Sequence, residues 1–396
     1  MIRRLSLAAA LATCVIVAPL AQTGAPAAQK PAEPVTPEKL TAAIDQLGNF
    51  DFPIRTEAAR TVRRAPADLA IAELSKAVRG HKDEYVRFKA LVLLAGLGDT
   101  AARELIRFAL SDRNDRLRTV AAGWYEHHPD PAVIPTLVEA LKVERSEFVR
   151  PAITRALAAQ GDDPRARAAL VPLVMQGADF FRGSVIQALG DFNGRYALDS
   201  ISAVAKLEGP LQDDAITALG MIGDPTSLET VIGLQKTAPR FVQPTVSAAI
   251  CLLGRNCDAH MKYLVQALDY GLTVEDQVEV LRGAVHGLGM LASRGREEAL
   301  TVMLERGATA SEDAREPIAL AVGLIAMRNP AMLLKVLVSR PNLDPAIALL
   351  RDAFDQLNED YEEERFYVFV RRAYWAAAEG SSERRVAETL IRQLEF

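Results

Sequence analysis

The side chains on which catalysis and metal binding usually rest are scarce here: three Cys and five His in 396 residues. There is no His-Glu-x-x-His, no Gly-x-Ser-x-Gly, no phosphate loop and no Cys-x-x-Cys-His, so the common metalloprotease, serine hydrolase, nucleotide and haem signatures are excluded. Cys251, Cys257 and His260 lie close in sequence but fit no zinc spacing and lack a fourth ligand. A disulfide between Cys251 and Cys257 and a pair of buried thiols both remain open, because geometry decides between them. No metal, cofactor or catalytic group is called for, and the chain reads as a non-enzyme. Aromatic residues are few, at 6%, while Ala and Leu are abundant, which favours helices over sheets. Positive charge is not in excess either: 46 Lys and Arg face 51 Asp and Glu. A general nucleic-acid binder needs a basic footprint, so that class is excluded.

Two further clusters read as bland. His127 and His128 stand in "HHPDP", where Pro129 and Pro131 mark a turn. The run "NEDYEEER", with Glu359, Asp360, Glu362, Glu363 and Glu364, reads as a solvated face or a flexible end before it reads as a calcium site.

What is present begins with a leader. In "MIRRLSLAAALATCVIVAPLA", Arg3 and Arg4 precede an apolar run, and Ala25 and Ala27 supply the small-x-small pattern of a cleavage site. Residues 1–27 are therefore expected to be a signal peptide, the alternative being an uncleaved anchor. The mature protein would then be periplasmic or secreted, without an integral membrane segment. Residues 1–27 hold two Arg and no acid, which takes the formal charge from −5 to −7. Residues 28–37 form a Pro- and Ala-rich tether, and Thr36-Pro37 has the chemistry of a helix start.

The body of the chain repeats itself. An apolar residue, usually followed by Arg, recurs at Ile54, Val86, Leu117, Val149, Phe181, Leu211, Val242, Val280 and Ala314. Small or apolar residues follow four and eight positions later, from Ala58 and Val62 to Ile318 and Val322. Offsets of zero, four, seven and eight share one face of an α-helix, so each segment carries a single buried stripe. A second amphipathic helix follows each one after a turn such as "GDP", where Gly223 can close one helix while Asp224 caps the next and Pro225 opens it. A two-helix unit cannot bury both faces alone. The units must stack, which makes the fold all-α, an α-α superhelix of about nine or ten two-helix repeats. The repeats are expected over residues 38–340. Residues 341–396 lose the pattern and hold seven aromatics between Phe354 and Trp375, which reads as a helical C-terminal cap or as a partner surface.

"VRFKALVLLAGLGD" and "LQDDAITALGMIGDP" resemble the short HEAT-like repeats of bilin-lyase-type proteins, over roughly residues 50–340. The resemblance implies a right-handed solenoid with a concave binding face and a ladder in which Arg of one unit meets Asp of another. Gln212, Gln243 and Leu281 replace the Arg in three units, so the ladder should weaken over units six to eight. By analogy with the family, the second and sixth positions after each opening residue should line the concave groove. These are Arg60, Phe88, Val92, Arg155, Gln187, Asp213, Arg282, His286 and Leu320. Gly123, Gly183, Thr217 and Ala248 in the same stripe would leave the groove shallow.

Residues 55–118 carry 14 basic against nine acidic side chains, a local +5 that leaves −12 on the rest of the mature chain. Such asymmetry would orient a charged partner or a second copy, although several of these Arg are also the structural ones. The expected function is a non-catalytic extracytoplasmic scaffold that binds a protein partner along the groove. The competing expectations are a ligand- or chromophore-holding lyase or chaperone, and a self-associating envelope protein.

Overall fold

Each segment with the opening dipeptide forms a helix, and each turn delivers a second one. The computed structural model describes residues 34–396 apart from Gly98, Asn358 and Glu359; the expected signal peptide and most of the expected tether lie outside the described residues. α1 (Pro37–Gln46) is capped by the Thr36 side chain and followed by nine helix pairs. The first four are α2 (Phe52–Arg64) with α3 (Ala67–Gly80), α4 (Glu84–Leu97) with α5 (Asp99–Ala109), α6 (Asp115–His127) with α7 (Ile134–Val143), and α8 (Val149–Ala158) with α9 (Pro164–Leu170). Then come α10 (Asp179–Asp191) with α11 (Leu198–Ala205), α12 (Gln212–Ile222) with α13 (Leu228–Leu234), and α14 (Gln243–Leu252) with α15 (Cys257–Thr273). The last pairs are α16 (Val278–Ser293) with α17 (Glu297–Gly307), and α18 (Glu312–Arg328) with α19 (Pro330–Val338). α20 (Asp344–Leu357), α21 (Asp360–Ala376) and α22 (Ser382–Gln393) end the chain. Among the described residues there is no strand, and the architecture is an all-α superhelix.

The fourth and eighth positions of the repeat are buried in all nine units, from Ala58 and Val62 to Ile318 and Val322. This stripe makes the opening helices an inner row, in which α6 packs on α8, α10 on α12, α12 on α14 and α16 on α18. Small residues set the close approach: a Cβ on Gly220 would come within 2.8 Å of the Ala249 backbone. The second helices form the outer row. The turns use the expected chemistry. Gly223 takes φ +67° at the end of α12, and the Asp224 side chain accepts from Thr226 N at 3.0 Å. In "DFNG" the left-handed residue is Asn193, not the glycine beside it.

The C-terminal aromatics do two things. Phe354, Phe366, Tyr367 and Phe396 cluster edge-to-face and stacked on one another, while α20 packs on α18 and α22 on α19. α21 also lies on α4, at the other end of the inner row. Gly96 and Gly123 make room for it: a Cβ there would meet Glu364 at 2.8 Å and Tyr361 at 3.3 Å. Within the unit formed by residues 35–396, the inner row therefore closes on itself.

Candidate interaction surfaces

The first half of the expected groove stripe is occupied by the chain's own C-terminus. Arg60 Nε donates to the Glu395 carbonyl at 2.9 Å, and its guanidinium lies 3.4 Å from the Glu395 carboxylate. Phe88 and Val92 are only 5% and 3% exposed, so they are core residues and cannot contact a partner. Beside them, Arg63 holds Glu364 with bonds of 2.5, 3.0 and 3.2 Å, and Lys89 pairs with Asp360. The basic start and acidic end of the chain thus meet within one molecule. Asp360, Glu362 and Glu364 are not a solvated face here: the first two are half-buried in ion pairs, and Glu364 is 2% exposed.

Arg155 stands in a second network. It donates to Glu126 at 2.7 and 2.9 Å and to Asp191 at 2.8 Å, and Asp191 lies 3.3 Å from Arg328 of α18. Burial disfavours the Arg155 cation, but its bonds and charge interactions with Glu126 and Asp191 outweigh this and hold it protonated. Next to it, His127 Nε2 lies 2.7 Å from Glu362 Oε1. His127 and His128 are more than turn residues, since His128 also stacks on Trp124 at 4.1 Å. Burial works against the Glu362 carboxylate, yet His127 and Arg365 overrule it and keep its pKa below the usual range. Glu126, His127 and Glu362 bring three ligand atoms within 4.8 Å of one another. Both carboxylates are already neutralised, by Arg155 and by Arg365 at 2.5 Å, and the two guanidiniums would repel a dication. The arrangement is an ion-pair network in its chemistry.

The second half of the stripe is more open. Gln187 donates to Asp214 at 2.9 Å, Thr217 Oγ1 lies 2.8 Å from His286 Nε2, and Asp213 lies 3.9 Å from the same imidazole. Burial raises the Asp214 carboxyl above its ordinary value. Arg282 and His286 are exposed, and Leu320 is half-buried on α18. Cys251 and Cys257 are joined in a disulfide, with Cα atoms 4.2 Å apart, and His260 Nδ1 lies 2.7 Å from Ser247 Oγ.

A different surface lies away from the buried stripe. Where the outer helices end and the inner ones begin, the loops form an edge that exposes Val143, Phe148, Met175, Phe180, Leu207 and Phe241. Phe148 and Phe180 are 75% and 70% exposed, far beyond what helix ends require. Their signal was in the sequence: Tyr85, Phe148, Phe180 and Phe241 each stand one residue before an opening position.

Residues 102–190 match the family model of HEAT repeats. No curated protein matches the sequence. Among solved structures, a chain of the CpcE–CpcF phycocyanin lyase complex of Nostoc sp. PCC7120 is 19% identical over 66% of this chain and 96% of its own, with a TM-score of 0.40. A chain of the Kap95p–RanGDP complex is 14% identical over 91% of this chain and 60% of its own, at 0.37. Human deoxyhypusine hydroxylase is 18% identical over 65% and 96%, at 0.29. These are likenesses of repeat architecture and carry nothing about ligand or chemistry. The matched segment runs from within α5 to within α10, and the same helix pair continues on both sides of it. The chain is an all-α repeat protein whose residues 102–190 match HEAT repeats.

Proposed function

We propose that this protein is a non-catalytic, extracytoplasmic scaffold that binds a protein partner along its loop edge. The observation that carries the reading is the row of exposed apolar side chains, Val143 and Phe148, Met175 and Phe180, Leu207, then Phe241, contributed by successive units. Side chains of this kind concentrate at interface cores, and a solenoid presents them in a regular line. The groove that the repeat family leads one to expect is partly filled by α21, which leaves Gln187, Arg282 and His286 as its accessible members. Export rests on the leader sequence. Among the described residues no single helix is long and apolar enough to cross a membrane. Head-to-tail self-association is disfavoured, because the oppositely charged ends already engage each other through Arg60, Arg63 and Lys89.

The test is affinity purification of the mature protein from its own cell envelope, followed by native mass spectrometry, alongside a Phe148→Ser, Phe180→Ser double variant. Wild type should retain a stoichiometric second protein, and the variant should lose it with melting unchanged. Equal capture by both would move the surface to Gln187, Arg282 and His286. A bound small molecule without a protein would refute the scaffold.

A further inference from the structure

In six of the nine units the second residue of the opening dipeptide donates to a carbonyl of the segment before it. Arg55 donates to the Asn49 and Phe50 carbonyls at 2.7 and 3.0 Å. Arg87 donates to the Val78 carbonyl at 3.0 Å and pairs with Asp112. Arg118 donates to the Asp112 and Arg113 carbonyls and pairs with Glu144 at 2.8 Å. Arg182, Gln212 and Gln243 each reach a carbonyl at the end of the preceding outer segment. Arg150 breaks the series. Its Nε is buried without a hydrogen-bond partner, and no ion pair reaches it among the described residues. The guanidinium instead lies over the Phe181 ring, 3.6 Å from its centre. Asp112 follows Arg87 by 25 residues and Glu144 follows Arg118 by 26, whereas the same step reaches Gly80 and His81 from Arg55 and Met175 and Gln176 from Arg150; Arg55 keeps two carbonyl acceptors, and the Arg150 Nε has none. The ladder's acid is missing, and a buried cationic donor is left without one.

Beside Arg150, the surface between α7 and α9 sinks into a trough of about 290 Å³. It exists because α9 has only seven residues before the chain tightens into a turn at Val171–Val174, and because Ala168 and Ala169 are small. Its floor is Leu141, Ala168, Ala169 and Leu173; Lys142 and Arg165 flank it, and no acid lines it. Lys142 and Arg165 are paired with Glu139 and Asp163, so Arg150 is the unpaired cation of the three. The trough is too open to enclose a small molecule, which a tight site buries almost completely. The same loop edge adds exposed Val143, Phe148, Met175 and Phe180. An Arg short of an acceptor among exposed aromatic and aliphatic side chains is the composition of a protein–protein hot spot.

We propose that Arg150 and this trough receive a segment of a partner protein that carries an Asp or Glu carboxylate flanked by apolar side chains. The carboxylate takes the place of the missing ladder acid, and the apolar flanks cover the alanine floor and the two phenylalanines. This rests on the scaffold reading and names the chemistry of its partner.

The probe is a fluorescent peptide of about ten residues built from Glu, Leu and Phe, with a twin carrying Gln for Glu, titrated by anisotropy onto the full mature chain. The acidic peptide should bind at least about ten-fold tighter than its twin. Arg150→Met should abolish that difference, and Ala169→Glu should abolish binding, both with unchanged melting. Absent binding, equal affinity for the twin, or an unaffected Arg150→Met variant overturns the proposal. The Arg150→Met protein is also used as bait. A partner retained by both baits sinks the trough but leaves the scaffold standing, whereas no partner on either sinks the scaffold. Sedimentation showing a dimer that Arg150→Met dissolves would make the occupant a second copy and overturn the proposal as stated.

Discussion

Replacing Glu364 by Gln tests whether the closed inner row is a property of the folded protein. Glu364 is buried between Arg63 at 2.5 Å and Arg371 at 3.6 Å. Both guanidiniums are themselves largely covered, with side chains 12% and 23% exposed. The amide keeps the shape and removes the charge, so two partly buried cations lose their counter-ion, and breaking such a pair costs about 3–5 kcal/mol. For a cooperative unit of about 360 residues, the unfolding entropy near 60 °C is about 0.8 kcal/mol/K, so the melting temperature should fall by about 5 °C. A repeat protein can also lose this contact locally, in which case α21 becomes protease-sensitive before the main transition. The assay is therefore thermal unfolding by circular dichroism, paired with limited proteolysis and mass identification of the first cut. An Arg63→Met, Glu364→Leu, Arg371→Met triple variant should recover much of the loss, because apolar groups of similar size no longer leave a charge stranded. A Glu364→Gln protein that melts within about 1 °C of wild type, with α21 equally resistant, would refute closure as a source of stability.

Three shorter expectations follow. Glu362 has a folded pKa below its reference value of 4.5, so its contribution is present above that value and lost as pH falls through the folded one; the stability difference between wild type and Glu362→Gln should shrink as pH drops from 6 to about 3. Gly96→Val puts carbon where Glu364 Cγ sits 2.8 Å from a Cβ, and should destabilise by about 1–3 kcal/mol in chemical denaturation, an effect that vanishes in a chain truncated before α21. The Cys251–Cys257 bridge spans six residues, so Cys251→Ser with Cys257→Ser should lose about 2 kcal/mol against the oxidised protein and nothing against the reduced one, read from paired denaturant melts.

The repeat was legible because its signal is local and periodic. Ala90 and Leu94 announce a buried face within one helix, and Gly223-Asp224-Pro225 announces the next border within three residues. The closure was not legible, because nothing near Glu364 indicates Arg63, which stands 301 residues away in sequence. Acids in "NEDYEEER" look solvated until their distant cations are known, and His127 looks like a turn residue until Glu362 is placed beside it. Phase arithmetic leads one to expect Arg60, Phe88 and Arg155 along an open groove, but Phe88 is buried and Arg60 and Arg155 are held by Glu395 and Glu126. What it lacked was the occupant of that face.

The ladder is interrupted on both its cationic and its acidic side. Loss of Arg at units six to eight led one to expect weakening there, and Gln212 and Gln243 do keep only the backbone half of the arrangement. The earlier break, at unit four, is on the acid side: Arg150 is present, so a scan for the cation passes over it, while Met175 and Gln176 hold the place of its partner. A missing cation leaves a carboxylate that water can reach. A missing acid beside a guanidinium pressed on Phe181 leaves a covered donor unsatisfied, which is the costlier defect and the one that a ligand can repair. Arg63, Arg87, Arg118 and Arg155 are each compensated by an acid of the same chain, and that asymmetry is the physical ground for looking outward from Arg150 and not from the groove.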